Sequence, residues 1–483
     1  MPDPSTPVIP ELELEFLFHP RSVAIAGVSA KEGPGFGGGG FVAALQEIGF
    51  RGPIFLIHPT AAAIRGVKCY PSLRDVPDEV DYVISSVNAR FVPQLLEDCI
   101  TKKVRALHLF TAGFTETGDV ERAKMEQTIV ARAREAGIRI IGPNCMGIYA
   151  PEARLAQSPG QGSEPGPIGM VSQSGANAQE LVRHGAPRGL RYSKVISFGN
   201  GSDLRAADFF DYLADDPATE VITAYLEGIQ DGPRLAAAIR KAAAKKPVAI
   251  LKGGRTDAGS RAASSHTASL AGSLQIFDAL CRQAGAVRVE SMEELVDVAV
   301  TFRFVKDLRG PNVVVVGGGG GTSVLAADDL DAAGLVLPPL LPETQEALAK
   351  VTHEAGTSVR NPVDSSALWD EKAFETTLSA CASAPNVDVL LFHTSFGSGG
   401  PGSRSGDPRD RNARQVEGFR RVQEETGKPV VVVIRTPLSV GGFTQSLDFQ
   451  DMCWRAGIAT YPSIDRAARG LAGFLRRKAM LQL

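Results

Sequence analysis

Short, wholly apolar runs alternate with helix-like stretches along this whole chain, and that alternation limits its fold more than any other feature. SVAIAGVS (22–29), PIFLIHP, DYVISSV and ALHLFTAG fall in the first quarter. GMVSQS, KVISFGN, VITAYLEG and PVAILKGG follow between 169 and 254, and NVVVVGGGG, VDVLLFHTS and PVVVVIRT occupy the last third. A strand that is apolar at every position has both faces covered, which predicts parallel sheets with right-handed helical crossovers. The fold class is therefore α/β, with doubly wound parallel-sheet domains in tandem. A chain of 483 residues suggests three domains at roughly 150 residues each. The punctuation places them at 1–150, 165–307 and 311–483. The segment 151–166 (PEARLAQSPGQGSEPG) reads as a linker, SMEELVDVAVTFRFVKDL as a closing amphipathic helix, and 397–412 (GSGGPGSRSGDPRDRN) as a polar loop or lid.

Charge and composition remove several function classes. The net charge of −3 leaves no electrostatic footprint for nucleic acid or an anionic membrane surface. No run of about 20 apolar residues occurs, and the first residues are acidic and proline-rich, so neither a membrane helix nor a basic signal peptide is expected. Six cysteines are scattered without a CxxC pair. They read as reduced thiols of a cytoplasmic protein, with no disulfide framework and no metal site.

The motifs that carry chemistry lie where strands give way to helices. SSHTASLAGS (264–273) sets His266, one of seven histidines, among small hydroxyl residues just before a helical run. Imidazole can carry a phosphoryl group covalently, and small neighbours let a bulky anion approach; a solvated spacer is the plainer reading. The first strand-to-helix turn, GVSAKEGPGFGGGG (27–40), offers Gly27, Ser29 and Lys31 to a phosphate-bearing ligand. The G-x-G-x-x-G fingerprint is not cleanly present, since Gly27 at the strand end is followed by Val28-Ser29 with no near glycine, and the second strand ends in His58-Pro59 where an adenine ribose would want a carboxylate; both disfavour a dinucleotide. GPNCMG (142–147) presents Asn144 and Cys145, the latter without a base nearby in sequence. VSQSGAN (171–177) supplies Ser172, Ser174 and Gly175 at a helix start suited to an anion, or to a plain N-cap. Glu227, in YLEGIQDG, sits at the carboxyl end of a strand, where α/β sheets bind ligands. It could accept a proton from one nitrogen of His266 and free the other to attack phosphorus. GGGGG (317–321) lacks the lysine of a nucleotide-binding P-loop, and NPVD (361–364) reads as a packing turn.

In this order, FHPRSVAIAGVS, GPNCMGI, VSQSGA, YLEGIQDG, KGGRTDAGSRAASSHT, VLAADDLDAAGL and NPVD resemble the NDP-forming acyl-CoA synthetase family, relatives of succinyl-CoA synthetase, and specifically its CoA-binding chain or half. The resemblance implies a Rossmann-like CoA-binding domain followed by two flavodoxin-like CoA-ligase domains. It implies that His266 is a phosphohistidine and Glu227 its orienting carboxylate. Ser172, Ser174 and Gly175 would line the phosphate pocket, and Gly27, Ser29, Lys31 and Asn144 would lie near coenzyme A. Two departures stand out. Ala268-Ser269 follow His-Thr where the family has Gly-Ala, and Glu32-Gly33-Pro34 with a glycine run replaces Lys-Pro-Gly.

The implied activity is acyl-CoA formation from a small carboxylic acid, CoA and ATP through a phosphohistidine and an acyl phosphate. No ATP-grasp-like segment is apparent, so ATP and Mg2+ are expected through an ATP-grasp (beta-type) subunit, in a hetero-tetramer or on a homodimer core. Two other readings stay open: an acyl or carbamoyl transferase working from an acyl phosphate, and a non-catalytic CoA-binding regulatory protein. A nicotinamide oxidoreductase has little in the sequence to support it.

Overall fold

Strand ends decide where this protein can do chemistry, because every crossover helix begins there. The computed structural model describes residues 13–29, 37–261, 273–352, 357–397, 407–437 and 439–482. They form two units: the described residues of Met1–Val182 and Arg191–Arg288, and those of Arg183–Leu190 and Val289–Leu483.

The first unit holds two sheets. Strands β1 (Val23–Ala26), β2 (Ile54–Ile57), β3 (Ala63–Ile64), β4 (Val67–Tyr70), β5 (Tyr82–Ser85), β6 (Ala106–Leu109) and β7 (Arg139–Ile141) lie in the order β3-β4-β2-β1-β5-β6-β7. All pairs are parallel except β3 with β4. The period of two is visible in the packing. Val23, Ile25, Tyr82 and Ile84 join the helix Gly38–Ile48 in one core, while Ala24, Ala26 and Val83 join the helix Val92–Thr101 in another. The second sheet has β8 (Gly147–Tyr149), β9 (Pro165–Ser172), β10 (Tyr192–Ser197), β11 (Val221–Leu226), β12 (Val248–Lys252) and β13 (Val287–Val289), ordered β13-β12-β11-β9-β10-β8 with β8 antiparallel at one edge. A single hydrophobic core runs from Phe41 and Leu45 through Ile148 and Leu155 to Phe209 and Ile239, so the two sheets share one interior.

The stretch 151–166 is not a free linker. Gln157 is 1% exposed and its Nε2 donates to the carbonyls of Gly147 (2.5 Å) and Val195 (3.2 Å), while the Tyr149 hydroxyl donates to Gly162 O at 2.7 Å. These side-chain bonds hold the segment against β8 and β10, and β9 already begins at Pro165.

The second unit is built on β14 (Val313–Gly317), β15 (Val363–Asp364), β16 (Val389–Ser395), β17 (Val430–Arg435) and β18 (Ala459–Tyr461), ordered β15-β14-β16-β17-β18 and wholly parallel. The helix Met292–Phe304 packs here. Its buried Asp297 accepts from Arg188 Nη1 (2.5 Å) and Arg466 Nε (2.6 Å), and Thr301 pairs with the Tyr461 hydroxyl at 2.7 Å. The sequence reading of 397–412 as one loop fails at its end: Asp407 caps, and Pro408 opens, a helix that runs to Thr426. Proline at the first helical position has no amide to lose, so the Asp-Pro pair starts a helix here. Residues 398–406 lie outside the described residues. Among the described residues no helix is long and apolar enough to cross a membrane.

Candidate active site

In the second sheet, β9 leads into the helix Gly175–Gly185 and on to β10, whereas its other neighbour β11 leads into the helix Gly232–Lys245 and away to β12. Successive loops therefore part between β9 and β11, and such a parting at the carboxyl ends opens a crevice for ligand. Ser172, Ser174, Gly175 and Glu227 all stand at this crevice, two strands bringing together residues that are more than fifty positions apart.

The β9 loop is tied to itself. The Ser172 hydroxyl donates to Ser174 O (2.6 Å) and accepts from Ser174 N (3.2 Å), and Ser174 Oγ accepts from Asn177 N at 3.3 Å as an N-cap. One helix-start amide is thus satisfied by serine, and the start retains the partial positive charge that favours an anion. Gly175 must be glycine: a Cβ there would lie 2.3 Å from Met146 Cγ. Met146 belongs to the GPNCMG turn, so the turn that carries Asn144 is pressed against the start of the phosphate-type helix. Asn144 itself takes φ +58 and its amide donates to Thr111 O at 3.0 Å. A Cβ on Gly199 would meet Pro143 O at 2.2 Å, and the amides of Asn200 and Ser202 bond Pro143 O and Gly142 O. Below the turn, buried His108 approaches Cys145 O with Nε2 at 3.0 Å, and burial lowers its pKa to about 4. Neutral imidazole is then the donor in that bond. Cys145 is 4% exposed and burial pushes its thiol up to about 12, so it is no nucleophile at neutral pH.

Glu227 is 6% exposed, and its Oε2 has no hydrogen-bond partner among the described residues. An unsatisfied carboxylate oxygen at such depth costs free energy, and a partner that donates one N–H would remove the cost. Tyr225 lies beside it; burial first, and then the Glu227 carboxylate, raise the Tyr225 hydroxyl well above its ordinary range. His266 and Lys31 lie outside the described residues.

In the first sheet the analogous parting falls between β1 and β5. Gly27 takes φ +89, and a Cβ there would lie 2.6 Å from the Ser86 carbonyl carbon, so the β1 turn passes flush over the end of β5. Gly38 N donates to Ser86 Oγ at 3.0 Å, and Ser29 is exposed on this turn. A backbone this close to its neighbour requires glycine at 27. Among the described residues no group of three or more His, Cys, Asp or Glu side chains could hold a metal.

Three residues escaped the sequence reading although they sit inside the motifs it quoted. Gln173 Oε1 accepts from the amides of Glu227 (2.7 Å) and Gly228 (3.0 Å). Lys252, the lysine of KGGR, donates to Glu227 O at 2.6 Å. Asn200 donates from Nδ2 to Glu116 Oε2 at 2.8 Å and accepts at its carbonyl from Gln230, joining the loops of the two sheets. Burial alone would raise Glu116, yet the Gly113 amide and Asn200 outweigh it and hold the carboxyl below its usual range.

A CoA binding domain family matches residues 21–151, and the succinyl-CoA ligase like flavodoxin domain family matches 165–302. The chain is 35% identical over 475 residues to the alpha subunit of the ADP-forming acetate–CoA ligase I of Pyrococcus furiosus, covering 96% of this chain and 98% of that one. It is 33% identical to the ADP-forming 4-hydroxybutyrate–CoA ligase of Nitrosopumilus maritimus, over 78% of this chain and 54% of that protein. The solved structure of the dinucleotide forming acetyl-coenzyme A synthetase 1 of Candidatus Korarchaeum cryptofilum, apo form, superimposes with a TM-score of 0.81 at 29% identity, covering 97% of this chain and 98% of that one.

Proposed function

Because the chain belongs to the ADP-forming acyl-CoA ligase family, as its CoA-binding, alpha-type member, we propose that His266 and Glu227 carry a phosphoryl group between an acid-activating site and a nucleotide site. A free carboxylate is a poor electrophile because its oxygen leaves badly. Transfer of the phosphoryl group from His266 to the acid breaks the N–P bond, forms an acyl phosphate and returns neutral imidazole. The CoA thiol then gives up its proton, attacks the acyl carbon and expels inorganic phosphate, leaving the thioester. The sequence is reversible.

The residues divide this work. Ser172, Ser174 and Gly175 offer hydroxyls and amides to the phosphoryl oxygens at the helix start, donors whose preorganisation is worth about 3–4 kcal/mol each in comparable anion holes. Glu227 accepts the N–H of one ring nitrogen so that the other faces phosphorus. Gly27, Ser29, Lys31 and Asn144 hold CoA along the edge of the first sheet. The observation that carries the reading is the buried Oε2 of Glu227, without a partner among the described residues and beside an anion-receptive helix start.

ATP and Mg2+, which renew the phosphohistidine, belong in this reading to an ATP-grasp subunit of a cytoplasmic complex. In support, this chain spans 54% of the 4-hydroxybutyrate–CoA ligase, leaving nearly half of that protein unmatched. The acid is small, as in the acetate and 4-hydroxybutyrate relatives.

The test is direct. The full chain, incubated with acetyl-CoA and radiolabelled inorganic phosphate, should take up acid-labile label that mass spectrometry places on position 266. H266N should take up none and E227Q at least about 100-fold less, the scale of a lost general base. Equal labelling of H266N would overturn the reading.

A further inference from the structure

Glu227 is held by its backbone from both sides, and neither holder has a part in the chemistry above. Gln173 reaches across from the β9 loop, and its single Oε1 takes the amides of Glu227 at 2.7 Å and Gly228 at 3.0 Å. These amides follow the last residue of β11, where the strand ladder gives out, and Gln173 is 4% exposed. On the other side Lys252 is the last residue of β12 and pairs across the ladder with Leu226. Its Nζ donates to Glu227 O at 2.6 Å and Gly253 O at 2.5 Å, and lies 6.0 Å from the centre of the Phe277 ring.

Lys252 is 1% exposed, and a lysine buried that deeply is rare without compensation. A methionine would fill the same space without the desolvation cost. Two carbonyls satisfy two of its protons, and the negative charge of Glu227 acts through space to keep it charged, against the lowering that burial imposes. Tyr225 is the other titratable side chain facing Glu227; burial first, and then that carboxylate, raise its hydroxyl. Gly253 completes the cradle, since a Cβ there would meet the Tyr225 hydroxyl at 2.5 Å and Glu227 Cγ at 3.2 Å.

We propose that Gln173 and Lys252 are positioning residues that clamp the main chain of Glu227 and fix where its carboxylate points. The proposal rests on the reading of Glu227 given above. Because Gln173 stands between Ser172 and Ser174, the clamp also locks the carboxylate to the anion-receptive helix start. The two halves of the site thereby keep one spacing, as transfer between closely set groups requires.

The experiment uses the full chain and four variants: Q173M and K252M, which keep length and remove the polar contact; K252Q, which keeps donors and removes charge; and E227Q as reference. The rate of labelling from acetyl-CoA and inorganic phosphate is followed alongside hydrogen exchange of the segment 225–230. Q173M and K252M should label about ten-fold more slowly or worse, with the KM for acetyl-CoA unchanged, and the segment should exchange faster. K252Q, which restores a donor, should recover rate and protection. A purely structural lysine would lower global stability, with labelling by the folded variant and exchange of 225–230 changed no more than elsewhere in the chain.

Wild-type rates in folded K252M would overturn the clamp and leave the role of Glu227 standing. Full labelling of E227Q would overturn the underlying reading. Unchanged exchange of 225–230 in both Q173M and K252M would overturn the clamp whatever the labelling shows. Should K252M fail to fold, K252Q with Q173M decides by the same two measurements.

Discussion

A glycine pressed against a methionine sets the spacing between two loops of this site. The Cβ of an alanine at 175 would sit 2.3 Å from Met146 Cγ, an atom too near the backbone to swing aside. G175A should therefore destabilise the first unit by about 1–3 kcal/mol, as overpacking does elsewhere, and lower labelling of His266 further than stability alone explains. The double variant G175A/M146A should recover much of the stability in denaturant titrations. Recovery of stability without labelling would show that the methionine itself belongs to the site. Glu227 was legible because a carboxylate after an apolar strand stands out. Gln173 and Lys252 were not, because their partners are main-chain atoms of another strand, and no local pattern announces a bond that spans 25 or 54 positions.

Elements show the same division. The apolar runs were legible because a fully covered strand has no polar alternation to confuse. The edge strand β8 was not: it has three residues, runs antiparallel, and joins the second sheet immediately after a turn that belongs to the first. That turn rests on His108, whose ring would meet a Cβ on Gly147 at 2.4 Å. His108 has its pKa lowered to about 4 by burial, against about 6.5 unfolded. The unfolded chain thus binds protons more readily, so the contribution is complete above pH 6.5 and is lost as pH falls toward 4, amounting to about 3 kcal/mol. His393 in the second unit, lowered to about 4 by burial and then by Arg435, acts in the same direction. Melting temperature should fall between pH 6.5 and 4.5, and H108Q, which keeps a donor and cannot charge, should fall less steeply. An identical slope in H108Q would remove His108 from the account.

For the molecule as a whole, two expectations separate the chain from its complex. Alone, it should bind CoA, and CoA at 100 times its dissociation constant should raise the stability of the first unit by about 2.7 kcal/mol in a thermal-shift measurement. Alone, it should also fail to make acyl-CoA from acid, CoA and ATP. Robust ATP-dependent thioester formation by the purified chain would place nucleotide chemistry here and dispense with a partner. The three sheets could be foreseen from strand composition, whereas the grouping of the first two could not, since a shared interior depends on which faces meet.

That shared interior has a mechanical consequence. Asp203, after β10, receives Arg139 at 2.9 Å and Arg134 at 2.7 Å from the first sheet, and apolar side chains continue without a break beneath them. In the reading proposed above, the CoA loops of the first sheet and the phosphoryl niche of the second then stand on one frame. The distance the CoA thiol must reach is preset, and an analogue lengthened or trimmed by one methylene should dock normally yet leave its sulfur out of reach.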